Sequence, residues 1–170
     1  QDDLFLGYQA DLDLGMFIVT DGVSICEYGS GDLASGFVRE AAVDHWRELC
    51  QVQTLTEDED TLSEMTLGMI EGATGNYGKF LTQMVNDSNR RIGDYVNQQL
   101  PTFHGPPEGI MAATVVGAMV NQGKATLTSV GDSRIYLIRS DYIVSLMYDE
   151  DLYTHLLQAR QSPMQAQQSP

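Results

Sequence analysis

Basic side chains are scarce in this sequence: nine Lys and Arg stand against 24 Asp and Glu, a formal net charge of -15. That balance argues against nucleic acid as a partner, because phosphate contacts need clustered cations. Cysteine is nearly lacking, with only Cys26 and Cys50. Two thiols in a chain of this size read as reduced, in a cytoplasmic setting, and not as a disulfide framework. No run of about 18 apolar residues occurs, so no membrane-spanning helix is expected. The opening Gln1-Asp2-Asp3 lacks the basic and then apolar layout of a secretion signal, and without an initiator Met the chain reads as processed or trimmed. Glycine-rich phosphate loops and nucleotide fingerprints are missing as well. The acidic run 57–60 lacks the spacing and turn glycine of a calcium-binding loop, which leaves it a solvated helix start.

What is present is ordinary globular material, 42% hydrophobic and 19% charged over 170 residues. It suffices for one domain with a sizeable core. That domain is expected over 1–160, as a monomer, with a poorly ordered Gln/Ser/Pro tail at 161–170. Apolar runs at 4–8 and 16–20, separated by Asp and Gly, read as strand, turn and strand. From Asp32, a candidate N-cap or first-turn carboxylate, the period turns helical, with Leu33, Phe37, Ala41, Val43, Trp46 and Leu49 on one stripe. A second helix is expected over 77–100, burying Phe80, Met84, Val85, Ile92 and Val96 and closed by Pro101, with a loop at 104–107. Four consecutive antiparallel strands follow, at 114–120, 125–130, 135–139 and 143–146, then a last helix at 150–159. This is an α+β order, expected to pack sheet on sheet with the two long helices covering one face. The eight Met residues and Trp46 read as core filler and core anchor. His45 and His104 read as a helix-surface and a loop residue.

The acid excess has two readings: a self-repelling, soluble surface, or carboxylates gathered around hard divalent cations. Three elements bear on the choice. Asp21-Gly22 ends a hydrophobic strand abruptly, where a carboxylate can face a cleft and Gly lets the backbone come close to an ion. Gly131-Asp132-Ser133 sits at the break between two strands, and Asp2-Asp3 precedes the first strand. Each alone is a turn or a solvated terminus.

Taken together, in order and spacing, they resemble the PP2C (PPM) family of metal-dependent protein serine/threonine phosphatases. Residues 16–22, "MFIVTDG", resemble the family's "FVVADG". Residues 29–35, "GSGDLAS", resemble the "AGEVAS" that opens its first long helix. Ser88-Asn89-Arg90 resembles its "ANR" step, and residues 127–139, "LTSVGDSRIYLIR", are close to its "ANVGDSRAYLIR" hairpin. Residues 146–152 resemble "LTRDHSL". The resemblance implies a four-layer α-β-β-α sandwich of two antiparallel sheets flanked by helices, here incomplete at the C-terminus. It implies hydrolysis of phosphoserine and phosphothreonine in proteins by a water held between two Mn2+ or Mg2+ ions, with a third, weaker ion in some members. Phosphoprotein substrates and a partner kinase or its targets come with it.

Carried over by position, Asp21 bridges the metals and activates water, and Gly22 offers its carbonyl to one ion. Asp132 helps bind the third, and the aspartate of the family's "NED" falls on Asp2 or Asp3. A gap-free match favours Asp3; reading Asp3 as the strand start favours Asp2. The chain departs from the pattern in lacking the later "SDG" and "DN" aspartates, so it is expected to be either a fragment or an impaired relative. The isolated chain is expected to turn over little. The family's "GTT" is replaced by Ala112-Ala113-Thr114, where Ala at a tight spot is expected to strain the cleft floor. The alternative function is a non-catalytic module of this type that binds a kinase or phosphoprotein, and beyond it a generic acidic interaction domain.

Overall fold

A computed structural model describes residues 1–55, 76–99 and 109–147. Strands β1 (Asp2–Gln9) and β2 (Leu14–Asp21) form an antiparallel hairpin whose register runs from Asp2↔Asp21 to Gln9↔Leu14. A short 3-10 turn, Ala10–Leu12, joins them, closed by Asp13 in the left-handed region at φ 47. Aspartate tolerates that conformation better than most residues. Both strands extend beyond the expected apolar cores, because the ladder continues outward through Asp2 and Asp21.

Alternation divides the hairpin into two faces. Met16, Ile18 and Thr20 are buried, and they alternate with Phe17 and Val19 on the opposite, open face. The buried face receives the two helices. Helix α1 spans Gly31–Leu55 and α2 spans Tyr77–Gln99. Ser30, not Asp32, caps α1, its hydroxyl accepting from Leu33 N–H at 3.2 Å, while Asp32 occupies the first turn. Asn76 caps α2 in the same way through Lys79 N–H.

The buried stripe of α1 is Ala34, Val38, Ala41, Ala42 and Leu49. Leu33 is exposed and Phe37 stacks beside Tyr95 of α2, ring centroids 5.7 Å apart. Ala41 and Leu49 are buried as expected, while Ala34, Val38 and Ala42 take the place of Leu33 and Phe37. Small side chains let α1 lie close on the β1–β2 hairpin. Phe80, Leu81 and Met84 of α2 complete the core with Leu14, Met16, Ile18 and Met119. Trp46 packs partly buried against this core, beside Phe5 and over Gly7.

Strands β3 (Val115–Asn121) and β4 (Lys124–Val130) join through a two-residue turn, Gln122-Gly123, both at positive φ, as a tight hairpin requires. The expected four-strand meander is not continuous. Strand β3 pairs with β2, giving a sheet of order β1-β2-β3-β4, while β5 (Tyr136–Ile138) and β6 (Ile143–Ser145) form a separate two-stranded sheet. The break lies at Gly131, which holds φ at 95 and sits against Thr114. This hairpin flanks the open face of the large sheet. Arg134, Ile135 and Tyr136 line a groove of about 290 Å3 with Phe17, Val19 and Val116. Leu4, Leu6 and Tyr8 of β1 continue the open apolar face. The expected elements at 57–60, 104–107, 150–159 and 161–170 lie outside the described residues.

Candidate metal centre

The end of the hairpin where β1 begins and β2 stops gathers the acidic residues. Asp2 and Asp21 are Cα partners in the ladder, so their side chains leave the same face of the sheet. Hydrogen bonding to the Asp2 carboxyl, then partial desolvation, then the charges of Asp2 and Asp132, hold Asp21 above the ordinary carboxylate range. Like charges brought together without a cation are costly, and a cation removes that cost.

Asp3 points the other way. Its carboxylate accepts from Arg39 Nε of α1 at 2.8 Å and from Leu4 N–H at 2.8 Å. Strand alternation alone separates the neighbours: Asp2 lies with Asp21, and Asp3 is committed to a helix arginine.

Gly22 continues the ladder, bridging Ala113, and its N–H donates to the Gln1 carbonyl at 3.1 Å. It lies against the backbone of Gly31, the first residue of α1, so closely that a side chain on either would strike the other. The Asp-Gly pair is therefore required by strand–helix contact as well as suited to a site. Ala112 and Ala113 run beside it in extended pairing, with Val23 N–H donating to the Ala112 carbonyl at 3.0 Å. Neither holds positive φ, and the expected backbone strain there is not observed.

Asp132 lies in the turn between β4 and β5 and acts on Asp21 through its charge. Among the described residues no group of three or more His, Cys, Asp or Glu side chains is placed to hold a metal ion. Oxygen donors on Asp2 and Asp21 fit a hard divalent cation in kind. In number they fall short of a closed site, and other oxygens have to complete the coordination.

His45 is not at this end. It lies between the helices, its Nε2 3.6 Å from Asp87 and its ring edge-on to Phe80. Arg91 bridges Asp44 and Asp87 at 2.9 Å each, and Arg90 also pairs with Asp87. Burial would raise Asp87, but hydrogen bonds from Arg90 and Arg91 outweigh it and hold this carboxyl below its usual range. Neither cysteine is in a disulfide.

Sequence reasoning passes over Thr114 and Ser133, whose hydroxyls meet at 2.6 Å beside Asp21. Both stand inside quoted motifs, Ala112-Ala113-Thr114 and Gly131-Asp132-Ser133, but hydroxyls carry no charge to draw notice.

No family model matches the chain. It is 26% identical over 140 residues to a serine/threonine phosphatase, stp, of Listeria innocua serovar 6a, a match covering 82% of this chain and 45% of the relative. The fold is similar to serine/threonine phosphatase Stp1 from Staphylococcus aureus, at TM-score 0.62 and 23% identity over 99% of this chain and 56% of that one. It is also similar to the catalytic domain of serine threonine protein phosphatase PstP in complex with two manganese ions, at TM-score 0.55 and 18% identity, covering 98% and 63%. The chain thus spans about half the length of the curated relative and less than two thirds of these structures. In sequence and in fold, it is similar to the N-terminal portion of a PP2C-type serine/threonine phosphatase.

Proposed function

We propose that the chain belongs to a metal-dependent protein serine/threonine phosphatase, with Asp21 and Asp2 as a carboxylate pair that holds Mn2+ or Mg2+. The observation that carries the reading is the pairing of Asp2 with Asp21 at the end of the hairpin, which puts both side chains on one face of the sheet. When bound, a divalent cation pair lowers the pKa of coordinated water and neutralises phosphoryl charge. Asp21 and Asp2 would offer carboxylate oxygens to such a cation pair, Asp21 as the bridging and water-activating ligand, and Asp132 would add outer negative charge that suits a weaker third cation. Asp3 keeps β1 aligned to α1 through Arg39 and takes no part. The substrate is a phosphoserine or phosphothreonine protein, with a serine/threonine kinase or its targets as counterpart, in a cytoplasmic setting, a reading supported by the sparse cysteine content. Among the described residues no helix is long and apolar enough to cross a membrane.

The small number of carboxylates gathered among the described residues supports a second reading, an impaired module of this type that binds a kinase or phosphoprotein without turnover. Calorimetric titration with Mn2+, paired with phosphate release from a phosphothreonine peptide, separates the two. Binding that disappears in Asp21→Ala, with slow release, is expected. Binding with no release at all selects the second reading, and binding indifferent to Asp21→Ala sinks the assigned site.

A further inference from the structure

Continuing the β2–β3 register two residues beyond Val19↔Val116 brings Asp21 opposite Thr114. Such a pair ordinarily exchanges two backbone hydrogen bonds. Only one is made: Thr114 N–H donates to the Asp21 carbonyl at 2.8 Å. In place of the other, Asp21 N–H donates to the Thr114 hydroxyl at 3.2 Å, and the Thr114 carbonyl accepts from the Thr20 hydroxyl at 2.6 Å. The same Thr114 hydroxyl bonds the Ser133 hydroxyl at 2.6 Å. Its methyl sits under Gly131, where a Cβ would stand 2.9 Å away. One side chain therefore touches the backbone of Asp21 and both residues that flank Asp132.

We propose that Thr114 is a positioning residue, whose hydroxyl holds the Asp21 backbone against the Gly131–Ser133 turn so that Asp132 stays beside the site that Asp21 and Asp2 form. The inference rests on the metal-centre reading above. A methyl-for-hydroxyl swap removes the link without changing shape, while serine keeps it.

The test measures amide exchange of Asp21 by NMR and Mn2+ affinity by calorimetry in Thr114→Val, Thr114→Ser, Ser133→Ala and Asp21→Asn. Expected are faster exchange and about tenfold weaker Mn2+ binding in Thr114→Val, the usual loss when a ligand's supporting partner is removed. Rescue of both by Thr114→Ser is expected, with weaker binding but a protected Asp21 amide in Ser133→Ala. If Thr114→Val keeps wild-type affinity while Asp21→Asn loses it, the positioning role falls and the metal centre stands. If the wild type binds no Mn2+, both fall. If Thr114→Ser is as weak as Thr114→Val, the contact is mere strand-end packing and the inference is overturned. Should Thr114→Val not fold, unchanged affinity in Ser133→Ala overturns it alone.

Discussion

Replacing Gly22 with Ala tests the junction that carries the site. A methyl there would stand 2.6 Å from Gly31 Cα and closer still to its carbonyl group, where carbon atoms rest at about 3.5–4.0 Å. The obstructing atoms are all backbone, so no side chain can swing away. Gly22 does not hold positive φ, so the objection is space alone. Either the end of β2 or the first turn of α1 has to shift by about 1 Å, and overpacking of this kind costs about 1–3 kcal/mol. A rigid strand–helix contact places the effect near the top of that range, about 3 kcal/mol. At about 2–4 °C per kcal/mol for a chain of this length, the melting temperature falls by about 6–12 °C. Gly36 of α1 is the control, with nothing within 4 Å of its added methyl beyond its own helix backbone. Gly36→Ala gains helix propensity and is expected to stabilise by about 1 kcal/mol. Thermal melts followed by circular dichroism read both. A Gly22→Ala protein that melts with the wild type refutes the close contact of Gly22 and Gly31.

Asp21→Asn removes a charge held against Asp2. Because the folded group titrates above its ordinary value, its ionisation costs stability as pH rises through that window, and the cost persists at neutrality. The metal-free variant is expected to gain up to about 1 kcal/mol, little because the pair is exposed, while losing the Mn2+-induced rise in melting temperature. An unchanged Mn2+ shift counts against the pair as ligands. Asp87 works in the opposite sense: held low, it contributes stability above the ordinary carboxylate range that is lost as pH falls through its folded value. Arg91→Met should cost about 1–2 kcal/mol near neutrality by leaving Asp87 to Arg90 and Asp44 to Arg47 alone, and should flatten the acid limb of a denaturation profile. A profile with the wild-type acid limb would show that the network contributes nothing. Met84→Ala, at a fully buried site, should cost about 2–5 kcal/mol in urea unfolding; a loss under 1 kcal/mol would mean that the α2 core is loosely packed.

The periodicity of 77–99 was enough to place α2, because Phe80, Met84, Ile92 and Val96 recur at helical spacing whatever lies opposite. Helix α1 was harder. The expected stripe held for Ala41 and Leu49, but Leu33 is exposed, and Ala34, Val38 and Ala42 are buried in its stead. Side-chain size misleads where close approach is the advantage. The choice between Asp2 and Asp3 was open for a related reason. Neighbouring residues on a strand point to opposite faces, and the register that assigns the faces is set by pairing with β2 across the hairpin.

Local chemistry settles what is local. Gln122-Gly123 makes a tight hairpin, the Ser30 and Asn76 side chains start helices, and alternating apolar residues make strands, all through forces acting within a few residues. By itself, then, the sequence determined an acidic α+β chain, its element order, and the Asp-Gly, Asp-Asp and Gly-Asp-Ser motifs. Tertiary structure alone decided that β3 pairs with β2 while β5 and β6 part into a second sheet. It also decided that Asp2 and not Asp3 meets Asp21, and that Thr114 stands between Asp21 and Ser133. Those contacts join residues 19 to 93 positions apart, and strand pairing across the sheet, with one face buried under the helices, sets the register that brings them together.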